Sequence, residues 1–218
     1  LYEIAPLDVW LAAPFVFSAA TTFSLMAYSY WKRRTASGAV LFAWMCLIST
    51  VWTVCYLGVL LSPDINGKLF WTKMTYVGGQ YSSVSVYLFA ARYSRADTGT
   101  GAKAIFAYFF SGALIILLVL TNDLHHLMWT AAVPEGPLLH LTYGPVYWLT
   151  LIYPYSFTAA SIVVLLRSYF SSSSVNRQRT RLLAFGIAVP IVVSIGNDVI
   201  GVVLVKGFDA TVFSLVIT

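Results

Sequence analysis

The chain has 218 residues, of which 59% are hydrophobic and only 10% charged, with a formal net charge of +5. Soluble domains carry about 25% charged residues, so a soluble fold has no means of hiding this much apolar surface. The basic excess has no nucleic-acid recognition module beside it and lies next to apolar runs, where anionic lipid stabilises each Lys or Arg by about 1 kcal/mol; nucleic acid is therefore not an expected partner, and a lipid bilayer is.

A helix needs about 20 apolar residues to cross a hydrocarbon core, and cytoplasmic loops collect Lys and Arg. A first span is expected from Val9 to Trp31; Lys32, Arg33 and Arg34 hold its end inside and leave Glu3 and Asp8 outside. A second span, Ala39 to Leu61, returns outward to a turn-rich loop, Ser62 to Lys68. The third, Leu69 to Ala91, ends inside among Arg92, Arg95 and Lys103. The fourth, Ala104 to Thr121, opens onto an outer loop without Lys or Arg that lasts to Pro145. The fifth, Val146 to Leu166, leads to an inner loop with Arg167, Arg177, Arg179 and Arg181. The sixth, Leu182 to Leu204, comes back out to Lys206. Ala210 to Thr218 is apolar but too short to cross, and reads as the start of a seventh span. The expected fold is all-α: a polytopic transmembrane bundle of six complete spans plus the start of a seventh, in the plasma membrane, N-terminus extracellular and C-terminus cytoplasmic. With Leu1 at its start and an apolar run cut at Thr218, the chain reads as a piece of a longer protein.

Inside the spans, Pro14, Pro154 and Pro190 each remove a backbone donor and are expected to bend their helices. Gly78 with Ser82, and Gly79 with Ser83, are small pairs that let the third span approach a neighbour closely. Cys46 and Cys55 are too far apart along one helix for a disulfide and read as buried apolar residues. Trp10, Trp31, Trp71, Trp129 and Trp148 near span ends read as interfacial anchors. Residues Pro14 to Ala20 echo Pro154 to Ala160, as a duplication or chance similarity between apolar helices would produce.

Candidate chemistry starts from the intramembrane charges. A central Lys or Asp costs about 2.5 to 3.5 kcal/mol on insertion scales, so Lys73 and Asp198, both in the outer third of their spans, stand out. On the third span Lys73, Tyr76, Gln80 and Tyr87 share a face; on the sixth, Ser194 lies one turn before Asp198, beside Asn197. Two readings are open. One is an outward-opening pocket, lined by Lys73, Tyr76, Gln80, Ser194, Asn197 and Asp198 and lidded by Trp129 and Tyr147, in which Lys73 and Asp198 meet; the other is a structural polar network, or a Lys73 that snorkels to the surface. His125 and His126 point in different directions and have no cysteine nearby, so no metal is expected. No nucleophile and base pair occurs within a span, so neither catalysis nor a cofactor is expected of this chain.

Thr121, Asn122, Leu124, His125, His126, Leu127 and Trp129, then Tyr143, Gly144, Pro145 and Trp148, form an outer-loop motif. With the segment from Trp71 to Tyr93, which holds Leu88, Phe89 and Ala90, with Arg177 and Gln178, and with Pro190, it resembles the N-terminal seven-transmembrane region of membrane histidine kinases, over almost the whole chain. The resemblance implies a single sensor (input) domain over residues 1–218. Such a domain would detect an extracellular or membrane-borne small-molecule or lipid ligand and relay it through helix seven to a cytoplasmic output domain after residue 218, with homodimerisation through that cytoplasmic part. His125 and His126 lie on the wrong side of the membrane to accept phosphate from ATP. A small seven-helix membrane transporter is the alternative, favoured by the possible duplication and by polar residues within the spans.

Overall fold

Apolar runs long enough to cross a bilayer become helices, because only a helix satisfies the backbone within one segment. The computed structural model describes residues 9–35, 38–94, 101–135 and 138–171, with Gln178, Thr180, Arg181 and residues 183–187. Among them the long helices are α1 (Val9–Trp31), α2 (Ala39–Leu61), α3 (Ile65–Tyr93), α4 (Ala102–Leu120) and α6 (Trp148–Ser171). Between α4 and α6 stand a one-turn helix α5 (Asn122–His125) and an antiparallel hairpin of β1 (Trp129–Glu135) and β2 (Leu138–Tyr143). The first five expected spans correspond to α1, α2, α3, α4 and α6. The rest of the expected sixth span beyond the helical residues 183–187, with Pro190, and the start of the seventh lie outside the described residues.

Of these helices, α2, α4 and α6 are long and apolar enough to cross a membrane. Their exposed faces are apolar: Trp44, Val51 and Val54 on α2, Phe106, Phe110, Leu114 and Leu117 on α4, and Ile152, Val163 and Phe170 on α6. α3 is the most polar, with Lys68, Lys73 and Gln80 toward its N-terminal end. It is also the central helix, packed against α2, α4 and α6. Lys68 and Gln80 are buried on it, and Lys73 is nearly so.

Three regions differ from the expectation, and at the start of α3 the reason is local. The loop from Ser62 to Lys68 shrinks to Ser62–Asp64, because the Asp64 carboxylate accepts the Gly67 N–H at 3.0 Å and caps α3 at Ile65. Lys68 is then helical and fully buried, its ammonium donating to the Val59 carbonyl at 3.0 Å, where an outer surface position was expected. α6 continues to Ser171 and takes Arg167 into the helix, and α4 takes in Lys103. The third is the expected outer loop, which holds a hairpin and a helical turn. Its register pairs Ala131 with Thr142 and Val133 with His140, shifting between Trp129 and Ala131.

Close approach joins α2 to α3. A Cβ on Gly78 would run into Trp52, whose Cα lies at 2.8 Å, and one on Gly58 would run into the Trp71 ring. Gly78 thus plays the part its spacing suggested, whereas Gly79 has only the far edge of Trp52 at 4.0 Å. Phe15 of α1 stacks on Tyr56 of α2 at 5.1 Å, with Leu60 beside them. The Thr22 and Thr50 hydroxyls meet at 2.8 Å across the same pair of helices. Cys46 and Cys55 are buried free thiols, and Pro14 and Pro154 lie inside α1 and α6. On the other side of α3, Tyr87 meets Tyr108 of α4 and Phe157 of α6 edge-on, at 5.9 and 5.7 Å. Tyr153 of α6 donates its hydroxyl to the Tyr108 carbonyl.

Candidate functional site

The outer motif builds a knot between the end of α4 and the start of α6. Asn122 sits fully buried at its centre: Oδ1 accepts the Met128 N–H at 2.9 Å and the Trp129 N–H at 3.4 Å, while Nδ2 donates to the Trp129 carbonyl at 2.9 Å. An amide offers an acceptor and a donor side by side, so it pairs with the backbone as a strand would. His125 Nδ1 accepts the Leu127 N–H at 3.0 Å, which leaves the proton on Nε2 facing the Leu118 carbonyl at 3.1 Å and the Thr121 hydroxyl at 3.3 Å. It therefore ties α5 back to the last turn of α4. His126 takes a left-handed φ of 52° and closes α5 by donating its N–H to the Asn122 carbonyl at 2.7 Å. At Gly144 a Cβ would run into the Leu127 carbonyl, so only glycine permits the approach in which the Gly144 N–H donates to the Met128 carbonyl at 2.8 Å. The described residues hold no group of three His, Cys, Asp or Glu side chains that could bind a metal.

Beneath this knot the polar face of α3 meets a different partner at each step. The Lys73 ammonium lies 2.6 Å from the Asp123 carboxylate and 3.4 Å from the Leu120 carbonyl. Lys73 is 12% exposed and Asp123 72%, so the pair is half in water. Tyr76 stacks on Trp129 with ring centres 6.2 Å apart, over the fully buried Val119 and Met128. Gln80, 2% exposed, donates to the Thr150 carbonyl of α6 at 3.1 Å, and its Oε1 has no partner among the described residues. Thr150 in turn donates its hydroxyl to the Tyr147 carbonyl at 2.6 Å, and Tyr147 stacks on Tyr143 of β2 at 3.7 Å. The shared face expected of Lys73, Tyr76, Gln80 and Tyr87 is present, turned toward α4, the hairpin and α6.

The site differs from the sequence reading at two residues. Trp129, expected as an interfacial anchor, is buried against Tyr76, because Asn122 bonds to its backbone. Tyr147, named with Trp129 as a lid, is buried at the foot of the hairpin. Asp123 was missed as the partner of Lys73, although its place just past the fourth span puts it at the depth of Lys73. Ser194, Asn197 and Asp198 lie outside the described residues. Thr150, whose carbonyl receives Gln80, left no signal, since any backbone carbonyl can accept.

The family described as the N-terminal 7TM region of histidine kinase matches residues 14–218, which takes in the outer knot, the polar face of α3 and every helix but the start of α1. No curated protein matches the chain. A match over that share of the length, on a bundle of apolar helices, makes this a membrane sensor domain of signal transduction: the chain belongs to the family of N-terminal 7TM regions of histidine kinases.

Proposed function

We propose that the domain is the input of a membrane-bound sensor histidine kinase in a two-component system, multi-pass in the plasma membrane with its N-terminus outside and its C-terminal end in the cytoplasm. It is not catalytic; phosphoryl transfer belongs to the output domain of the parent protein, which also supplies the homodimer contact. The stimulus is a small molecule or lipid that arrives from outside or within the membrane and acts where the outer knot meets α3 and α6. From there the change passes inward, through helix seven, to the output domain.

One observation carries this reading: Lys73, Tyr76 and Gln80, on one face of α3, are held respectively by Asp123, Trp129 and Thr150. A single helix face is thereby tied to α5, to the hairpin and to α6. α3 has 29 residues and ends in Arg92 and Tyr93, so a shift at Lys73 is carried to its inner end, about 30 Å away at 1.5 Å per residue. A ligand that favours one arrangement of the knot over another shifts the population of both ends. The Lys73–Asp123 pair, whose carboxylate is largely in water, is worth about 0.5 kcal/mol, weak enough to be exchanged for a ligand contact.

The test is basal autophosphorylation of the full-length kinase in native membrane vesicles, with Lys73→Ala, Asp123→Ala and the double variant. Each single change is expected to move the rate about twofold, the shift that about 0.5 kcal/mol produces in a two-state population. The double variant should equal the singles, since both remove the same contact. Rates equal to wild type in all three would discard the site.

A further inference from the structure

We infer that α5 is seated in the outer leaflet of the bilayer, with Leu124 inserted at the boundary between headgroups and acyl chains. The first support is depth. α4 has 19 residues, about 28 Å of helix, and fills a hydrocarbon core of about 30 Å, so the chain that leaves Leu120 enters the headgroup layer directly. α5 begins two residues later.

The second support is the sidedness of this single turn. Asn122 is buried in the knot, Asp123 reaches to Lys73 on α3, and His125 turns back onto α4. Leu124 alone points away, and at 84% it is the most exposed of the large hydrophobic side chains among the described residues. It comes four residues after Leu120, and along α4 Leu114, Leu117 and Leu120 are exposed in turn. A lone exposed leucine in water needs no explanation; one that closely follows a row of exposed leucines on an apolar helix of spanning length does.

The third support is a second anchor at the same level. The Val146 N–H donates to the Leu127 carbonyl at 3.1 Å, which sets the start of α6 beside the end of α5. Trp148, the first residue of α6, is exposed there, and tryptophan is enriched in this layer. The partner of α5 is thus phospholipid. Because Leu124 adjoins Asp123, lipid packing around α5 acts on the tie to Lys73; this adds amphiphiles of the outer leaflet as the stimulus class, and to that extent rests on the function proposed above.

The experiment places a nitroxide on Leu124→Cys in a Cys46→Ala, Cys55→Ala background, reconstituted in phosphatidylcholine–phosphatidylglycerol vesicles. Collision with oxygen and with a water-soluble nickel chelate is compared with the same label at Leu117, for lipid, and at Pro63 in the α2–α3 turn, for water. A ratio shifted to the Leu117 side is expected. A ratio matching Pro63 overturns the proposal, as does a label shielded from both reagents by a second copy or by residues 188–218. If the cysteine-free background fails to fold, Leu124→Trp with brominated lipid gives the same decision, through added quenching or none. The stimulus class is read in the full-length kinase: lysophosphatidylcholine should change autophosphorylation in wild type and not in Leu124→Ser, and equal responses overturn it. A lipid-seated label with unaltered Lys73→Ala and Asp123→Ala kinases would keep the anchor and remove the sensing site; a water-exposed label with altered kinases would do the reverse.

Discussion

The two sides of α3 are held by different physics. Toward α2 the contact is made mainly by shape: Gly78 lets the Trp52 backbone approach, Gly58 receives the Trp71 ring, and Phe15, Tyr56 and Leu60 continue the packing to α1, with the Lys68 bond to the Val59 carbonyl at one end. Toward α4, α6 and the hairpin, directed groups are added to the Tyr87, Tyr108 and Phe157 packing: an ion pair, a stacked Tyr76–Trp129 pair, and the Gln80 amide on a backbone carbonyl. Dispersion between close backbones is a main force joining helices in lipid, and it is lost as soon as the two backbones separate. Hydrogen bonds and ion pairs can be exchanged for water or ligand at little net cost, so the other side is the one able to switch.

That contrast can be broken most forcefully at Gly78. Gly78→Val is expected to destabilise the protein by about 3 kcal/mol through overpacking against Trp52. Gly79→Val, one residue on, has room and should stay within about 1 kcal/mol of wild type. Unfolding in detergent micelles followed by far-UV circular dichroism measures both, and similar losses would mean that shape is not what holds the α2 side. A smaller effect is expected from Asn122→Ala, which leaves the Met128 and Trp129 N–H groups unmet at a cost of about 2 kcal/mol. This loss should be local: hydrogen exchange at those two amides accelerates while α1 and α2 stay protected, and uniform acceleration would show that the knot is part of one rigid body. The smallest change is Gln80→Leu. It removes one hydrogen bond together with an unpartnered buried oxygen, so stability should stay within about 1 kcal/mol of wild type while kinase output changes. A large loss of stability would move Gln80 to the structural side of the comparison.

The candidate site was legible where spacing alone decides. Lys73, Tyr76, Gln80 and Tyr87 recur at helical intervals, so their common face follows from 3.6 residues per turn whatever they touch. The ends of α1 and α2 were equally legible, because an apolar run stops where charge or a turn begins. The start of α3 was not, since turn-prone residues mark a loop and a helix cap alike; only the Asp64 bond to Gly67 tells them apart. Trp129 misled for a related reason. A tryptophan at a span end is an anchor by statistics, and it became a plug here through hydrogen bonds that Asn122 makes to the backbone around it.

The sequence by itself determined that the chain crosses a membrane, where its first helices run, and which side of the third carries polar groups, because hydrophobic transfer and helical periodicity are properties of consecutive residues. Tertiary structure alone decided that Asp123 holds Lys73, that Thr150 receives Gln80 and that Lys68 is buried against Val59. Those pairings join groups on different elements or across a turn, and they depend on how helices rotate and how deep they sit against one another, which no local pattern encodes.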